Sequence, residues 1–509
     1  MSPQLILRGR WLHAAIWIEG LVAVTMFGYC AASAGGVLNM SSFQSQFEAI
    51  DVANAPESEK QHTSTIQGTV VAVYTLFGIV GALLGGTFLG DLLGRRKSIF
   101  LAATLQLLGA ILMGTSYSLA QLIIGRVFTG LGVGAIVAAV PVWQSELSEA
   151  ENRGWQIASI SISSGIGLMA AQWLAFAMSF VDGSIAWRLT LSGSGLISIF
   201  VMATIFVLPE SPRWLKLKGR DDEARQILEM LLEEPEDVDK SIADIEQALR
   251  ISANQAGLKD LFSMGPQRNL HRMLLACGVQ VMLQFTGVNA LIFYTQTIYE
   301  TNLGFSPVKA GILSATSPVF MVLGGLATAG AVDKYGRRAL MMFSAAGMTV
   351  CFAFVIGLIA LGTPTALIAS VAFLYIYYLV YTIGFIGIPF MYASEIAPVQ
   401  LRAAICGVSV AVSWICSYIV VQITPLGIAA MKSNFFIVWL VLNASFVPIV
   451  YYFYPETAGR SLEEIDAIFE QSKSCLDSVQ IAKTMPLMRS STPDPEMAVH
   501  VTEHVVEKV

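Results

Sequence analysis

The sequence predicts an all-α polytopic membrane protein: twelve transmembrane helices in two six-helix, pseudo-symmetric halves, with cytoplasmic helices between them. Three observations predict it. Of 509 residues, 55% are hydrophobic and only 13% are charged, with a mean hydropathy of +0.65, whereas a soluble domain carries about 25% charged residues. Apolar runs long enough to cross a bilayer, which takes about 20 residues, recur along the chain. Short motifs of the first half return in the same order in the second.

The first six runs lie near 13–36, 67–89, 99–118, 120–143, 155–179 and 186–208. The other six lie near 271–299, 307–331, 339–361, 365–392, 403–429 and 434–454. Arg8 and Arg10 precede the first run, which continues past Tyr29 without a small-residue cleavage site. It therefore reads as a first span and not as a removable signal peptide. Between the sixth and seventh runs Ile227, Leu228, Leu231 and Leu232 alternate with acidic residues such as Glu223 and Glu229. That pattern predicts short amphipathic helices at the membrane face. The expected division is a first half at 1–210, linker helices at 211–268, a second half at 269–455 and a partly disordered cytoplasmic tail at 456–509.

Arg95, Arg96 and Lys97 follow span two, Arg337 and Arg338 follow span eight, and Arg213, Lys216, Lys218 and Arg220 open the linker. Twelve spans place these loops and both termini on one side, and the positive-inside rule makes that side cytoplasmic. The expected location is an integral position in the plasma membrane. The opposite loop carries Asn39-Met40-Ser41, a glycosylation sequon.

Composition excludes several functions. The net charge of −6 comes without a basic stripe interleaved with aromatics, so no nucleic-acid partner is expected. Five of the six cysteines fall in apolar spans without a C-x-x-C pair, and the five histidines are scattered. No metal, no cofactor and no enzymatic nucleophile–base set is expected. The expected partners are a small-molecule substrate and the lipid bilayer, with protons left open.

The internal repeat is the strongest signal. Asp91-Leu92-Leu93-Gly94-Arg95-Arg96 returns as Asp333-Lys334-Tyr335-Gly336-Arg337-Arg338, and Pro209-Glu210-Ser211 returns as Pro455-Glu456-Thr457. Glu146 precedes Arg153 as Glu395 precedes Arg402. Asp-x-x-Gly-Arg-Arg suits a tight turn in which glycine takes a positive φ. Its arginines are expected to reach Glu146 and Glu395, so that these ten residues form a cytoplasmic gate that is shut when paired. The plainer reading is topogenic charge with snorkelling side chains.

A second cluster lies at 280–294. Gln280, Gln284 and Asn289 fall at helical spacing inside an apolar run, with Gly287 between the last two and Phe293-Tyr294 beyond. Unpaired amides are costly in an apolar surrounding, so the stretch reads as a binding surface with a mobile end, Tyr294 closing the outer mouth. The plainer reading is a packing helix whose amides bond to its neighbours. Gly130 to Gly134 superficially resembles a nucleotide loop, but no strand precedes it and close helix packing explains it.

Several stretches resemble the sugar porter family of the major facilitator superfamily, with a fungal hexose- or quinate-transporter flavour. They are the two D-x-x-G-R-R motifs, G-R-V-F-T-G-L-G-V-G at 125–134, P-E-S-P-R-W-L at 209–215, Q-F-T-G-V-N-A at 284–290, V-Q-I-T-P-L-G at 421–427 and P-E-T-A-G-R-S-L-E-E-I at 455–465. The resemblance implies alternating access around a mid-membrane site between two six-span repeats. It implies that Gln172, Gln284 and Asn289 bond sugar hydroxyls, that Trp414 stands near the cavity and that Arg126 pairs with an aspartate of span one. Here that position is Cys30, a poor proton site at an ordinary thiol pKa near 8.5. Leu283, Met321, Phe390 and Ser417 stand where the family pattern has more polar or larger groups. The expected function is therefore secondary-active or facilitative transport of a sugar or related small polar metabolite. The alternatives are a transporter of a less polar cargo, such as a quinate-like acid or secondary metabolite, and a nutrient sensor that does not transport.

Overall fold

No water bonds to the backbone inside a bilayer, so an apolar run must close its own hydrogen bonds as a helix. The computed structural model describes residues 8–147, 153–232, 234–253, 258–398 and 400–486. It carries twelve helices long and apolar enough to cross a membrane and no strand among the described residues. Spans one to six are Arg10–Val37, Lys60–Leu83, Arg95–Gly114, Leu119–Leu147, Ser159–Met178 and Ile185–Thr204. Spans seven to twelve are Asn269–Thr301, Pro307–Tyr335, Arg337–Leu361, Pro364–Ile396, Arg402–Met431 and Phe435–Phe453.

The duplicated glycines behave as the motif requires. Gly94 has φ +93° and Gly336 φ +83°, each turning the chain between two helices. Glu210 accepts hydrogen bonds from the Arg95 and Arg96 amides at 2.9 and 3.2 Å. Glu456 does the same for Arg337 and Arg338 at 2.8 and 3.0 Å. A carboxylate on the free N–H groups of a helix start is stabilised by the helix dipole. The two P-E motifs thus cap spans three and nine. Burial pushes the Glu210 carboxyl above its ordinary value, and the backbone amides it accepts oppose that push.

These contacts define a linker face. On it, Pro212–Leu217, Asp221–Leu231 and Pro235–Ala253 form helices after span six. Ser211 caps the first, accepting from the Trp214 amide at 3.1 Å, as serine at an N-cap should. The apolar side of the second, Ala224, Ile227, Leu228 and Leu231, is buried. It meets protein and not only membrane, because Gly9 N–H donates to the Met230 carbonyl at 2.9 Å and His13 Nε2 lies 3.1 Å from the Leu231 carbonyl. The tail holds more structure than its polar sequence implies. Leu462–Gln471 is a helix with a Ser461–Glu464 capping box, and Asp477–Thr484 is another. Buried Arg272 fastens the first of them through Asp466. The Ser490–Pro495 stretch lies outside the described residues.

Spans one, two and five of the first half pack on spans seven, eleven and eight of the second. Toward the face away from the linker this seam is closed. Gln422 donates to the Thr65 carbonyl at 3.2 Å and to Thr69 Oγ1 at 3.1 Å. Thr297 donates to Asn39 Oδ1 at 3.2 Å, and the Phe293 carbonyl lies so close to Gly35 that no side chain fits there. Asn39 is thus part of the seam, with its Nδ2 buried. The sequon is expected to stay unmodified: peptide N-glycosidase treatment of the expressed protein should leave its electrophoretic mobility unchanged.

Candidate functional site

Span seven is broken where the sequence holds its glycine. The first piece ends at Gln284, Gly287 takes φ +95°, and the second piece starts at Val288. The break frees the Thr286 carbonyl from the helix ladder. Tyr377 Oη of span ten donates to it at 3.1 Å and Asn443 Nδ2 of span twelve at 2.9 Å. Both partners are buried, and a buried carbonyl left unpaired is costly. A Cβ on residue 287 would lie 2.9 Å from the Trp439 ring. Gly287→Ala is expected to lose at least about 1 kcal/mol through strain at positive φ, read as a lower melting temperature.

The break brings two predicted amides together. Asn289 Nδ2 donates to Gln284 Oε1 at 2.5 Å and to Ser417 Oγ at 3.0 Å, and Gln284 Nε2 donates to Ser413 Oγ at 2.7 Å. Ser413 and Ser417 lie one turn apart on span eleven, which puts both hydroxyls on one face. Residue 417 is therefore not simply a lost amide. Its hydroxyl anchors Asn289. Gln280 does not join this ladder. It is fully buried, and neither of its amide atoms has a hydrogen-bond partner.

The other predicted ligand residues surround the ladder at some remove. Gln172 lines a small cavity with Leu168, Ile292, Thr295, Met321 and Tyr378. Trp414 packs edge-on against Phe27 at 6.1 Å and Tyr74 at 6.4 Å, joining the halves. Tyr294 sits at a second kink in span seven, with φ −133° and ψ 20°. Its hydroxyl reaches the Val421 carbonyl at 3.4 Å. Phe390 is 37% exposed.

Arg126 and Cys30 lie inside the first half. The Arg126 guanidinium donates to the Val71 carbonyl at 2.7 Å and covers the Tyr74 ring at 5.6 Å. Its Nε has no partner, and among the described residues no carboxylate pairs with it. Gln106 Nε2 lies 3.5 Å from Cys30 Sγ and 2.7 Å from Ser194 Oγ.

At the linker face, Arg95 donates to both Glu146 oxygens at 2.9 and 3.0 Å and to Asp91 at 2.8 Å. Arg337 donates to Glu395 at 2.9 Å and to Asp333 at 3.2 Å, and Thr457 Oγ1 donates to the other Glu395 oxygen at 2.6 Å. The expectation that both arginines of each pair reach Glu146 or Glu395 needs correction. Arg96 instead donates to the Phe206 carbonyl and lies over the Phe206 ring. Arg338 donates to the Tyr451 carbonyl at 2.6 Å and lies over the Tyr451 ring. Each of these aromatics lies three or four residues before a P-E motif. The named partners of Arg95 and Arg337 also belong to their own half. Arg402 opens span eleven, and the Arg153 side chain lies outside the described residues. Sequence reading gave Ser413, Tyr377 and Asn443 no role, since hydroxyls and single amides in apolar runs give no local signal. Glu210 and Glu456 had one: a repeated acid just before a helical segment.

The sequence model described as "Sugar (and other) transporter" matches residues 18–469. The MFS-type transporter oryC of Aspergillus oryzae is 35% identical, with 92% of this chain and 88% of that protein covered. Sugar transporter STL1 of Saccharomyces cerevisiae is 31% identical, covering 92% and 83%. Probable polyol transporter 4 of Arabidopsis thaliana is 30% identical, covering 79% and 77%. Among solved structures, the E. coli xylose transporter XylE in a partially occluded inward open conformation superposes with a TM-score of 0.73 at 18% identity, over 88% of this chain and 99% of that one. The match in length, family model and fold is complete enough to decide the class: the chain belongs to the sugar porter family of the major facilitator superfamily and is an integral membrane transporter, not an enzyme.

Proposed function

We propose that this protein carries a neutral, hydroxyl-rich small molecule, a sugar or polyol, across the plasma membrane by alternating access. The ladder Ser413–Gln284–Asn289–Ser417 carries this reading. Asn289 Nδ2 already donates to Gln284 Oε1 and to Ser417, and Gln284 Nε2 donates to Ser413. What remains for a ligand is the Asn289 carbonyl oxygen, the second Gln284 amide proton and the serine hydroxyl protons. Such a set suits hydroxyl groups, which donate and accept at once. An anionic cargo would need a cation, and Arg126 is engaged behind Tyr74. The names of the yeast and Arabidopsis relatives, a sugar and a polyol transporter, agree with a hydroxylated cargo.

Both termini and the linker would face the cytoplasm. Gln172, Gln280, Tyr294 and Trp414 would complete the pathway above and below the ladder. The paired clusters at Arg95 and Arg337 would hold each half rigid at the cytoplasmic face while the halves rock. A less polar cargo is the second reading, favoured by Met321 beside Gln172 in the small cavity.

Ligand-induced thermal stabilisation tests the choice. A ligand at a hundred times its Kd stabilises by about 2.7 kcal/mol. Hexoses or polyols should raise the melting temperature, while quinate-like acids should not. Stabilisation by acids alone would reverse the assignment.

A further inference from the structure

The tail after span twelve is docked on the second half. Its first helix, Leu462–Gln471, lies against Ile388–Ile396, the last piece of span ten, and its second, Asp477–Thr484, lies against span twelve. Three arginines grip it. Arg268 donates to the Ser472 and Ser474 carbonyls at 2.9 and 3.0 Å. Arg272 pairs with Asp466, covers the Phe469 ring at 4.5 Å and donates to the Ile396 carbonyl at 3.2 Å. Arg460 donates to the Ala482 and Met485 carbonyls at 2.6 and 3.0 Å.

These contacts tie together two hinged pieces. Below its break at Gly287, span seven is the separate helix Asn269–Gln284. Span ten widens into a π turn at Thr382–Ile386, and Ile388–Ile396 continues below it. Widened turns of this kind recur at functional sites. The two lower pieces pack on each other, and Arg272 joins both to the tail.

Docking is held against local costs. Arg268 is the one non-glycine residue with positive φ among the described residues, at +52°, a strained conformation. His271 is buried beside Phe469, and neither of its ring nitrogens has a partner. Arg272 is fully buried, and its Nε is unpartnered too. Polar and charged groups left so are destabilising. Lifting the tail would let the turn relax and admit water to both side chains. A strap held this way is near balance, and a small change at its edge releases it.

That edge is the turn at 472–477, where Ser474 is exposed. The Ser474 hydroxyl, with the Ser474 and Lys473 amides at 2.8 and 3.1 Å, holds the Asp477 carboxyl below its ordinary value. Asp477 thereby fastens the turn to the start of the second tail helix. An exposed serine followed three residues later by an acid also suits an acid-directed serine kinase.

We propose that the tail is a removable strap over the lower ends of spans seven and ten, and that phosphorylation of Ser474 releases it and speeds transport. The step rests on the cytoplasmic placement of the tail proposed above. The Ser474 oxygen bonds the terminal phosphorus of a nucleoside triphosphate as the bond to the bridging oxygen breaks. The diphosphate leaves, and the hydroxyl proton passes through the kinase to solvent. The new group carries a charge of about −1.5 to −2 at neutral pH. It takes the place of the hydroxyl that now holds Asp477, and the two anions repel. Arg268 offers little compensation, because its Nη1 is already shared by two carbonyls. Once the turn opens, Arg268 loses those carbonyls and the hinged pieces are free to bend.

The test treats the purified full chain with an acid-directed serine kinase and ATP, beside Ser474→Ala. Mass spectrometry should find one phosphoryl group on the tail peptide of the wild type and none on that of Ser474→Ala. Hydrogen exchange of the amides in Asp477–Thr484 should then quicken by about tenfold or more, the effect of losing a charge-assisted hydrogen bond. Counterflow of a labelled hexose or polyol in proteoliposomes should rise with it. Arg268→Gly, which eases the positive φ and removes the grip, should quicken both without kinase. Were Arg268 only a turn residue, that glycine would give a firmer tail. An unmodified Ser474, unchanged exchange after phosphorylation, slower counterflow or a firmer tail in Arg268→Gly would each overturn the proposal. Absence of counterflow with every ligand would instead sink the carrier reading, and the exchange result alone would then decide on the strap.

Discussion

Asn289→Ala should lower uptake by about ten- to a hundredfold while surface expression stays near wild type. Asn289 Nδ2 bonds Gln284 and Ser417 at once. Its loss takes away one ligand acceptor and releases the Gln284 side chain from its set orientation. A site built to bond hydroxyls loses about 1.5–3 kcal/mol when such a bond goes, and each 1.4 kcal/mol is tenfold. Ser417→Ala should lose less, since Gln284 still holds Asn289. Radiolabelled uptake beside surface biotinylation separates the two effects. Wild-type uptake in Asn289→Ala would remove the ladder from the binding site.

The second large effect is expected at the linker face. Glu146→Ala should destabilise the protein by about 3–5 kcal/mol, the usual result of stranding one partner of a buried ion pair. The side chains of Arg95 and Glu146 are only 11% and 9% exposed. Asp91 cannot compensate, because it is 61% exposed and solvent screens it. Replacing both partners, as Arg95→Met with Glu146→Leu, should recover most of the stability, since no unpaired charge remains. Glu395→Ala should be milder, because Glu395 is 19% exposed. Thermal melts of the three variants in detergent check the order. An unchanged melt for Glu146→Ala would show that the cluster does not hold the half together.

Much of the fold could be read from the residues. The twelve apolar runs became twelve spans because a bilayer leaves a helix as the only way to satisfy such a backbone. The repeated glycines took positive φ because the Asp-x-x-Gly-Arg-Arg turn needs it. Periodicity also marked the apolar side of Asp221–Leu231, though not that it meets the start of span one.

The candidate site was legible only in part. Gln284 and Asn289 stood out as amides in an apolar run, and they meet. Their serine partners, far away in the chain on span eleven, had no local mark. Tyr294 carried no breaker residue to announce its kink. The turning of Arg96 and Arg338 onto Phe206 and Tyr451 depends on where spans six and twelve end.

Counterflow tests the central claim most directly: that the ladder at the break of span seven carries a neutral hydroxylated ligand through the membrane. Proteoliposomes loaded with unlabelled ligand would be diluted into a trace of the labelled form, over a panel of hexoses, polyols and quinate-like acids. Transient accumulation of a hexose or polyol, abolished in Asn289→Ala, is the predicted result. Accumulation of acids only, or ligand binding without any counterflow, would contradict it.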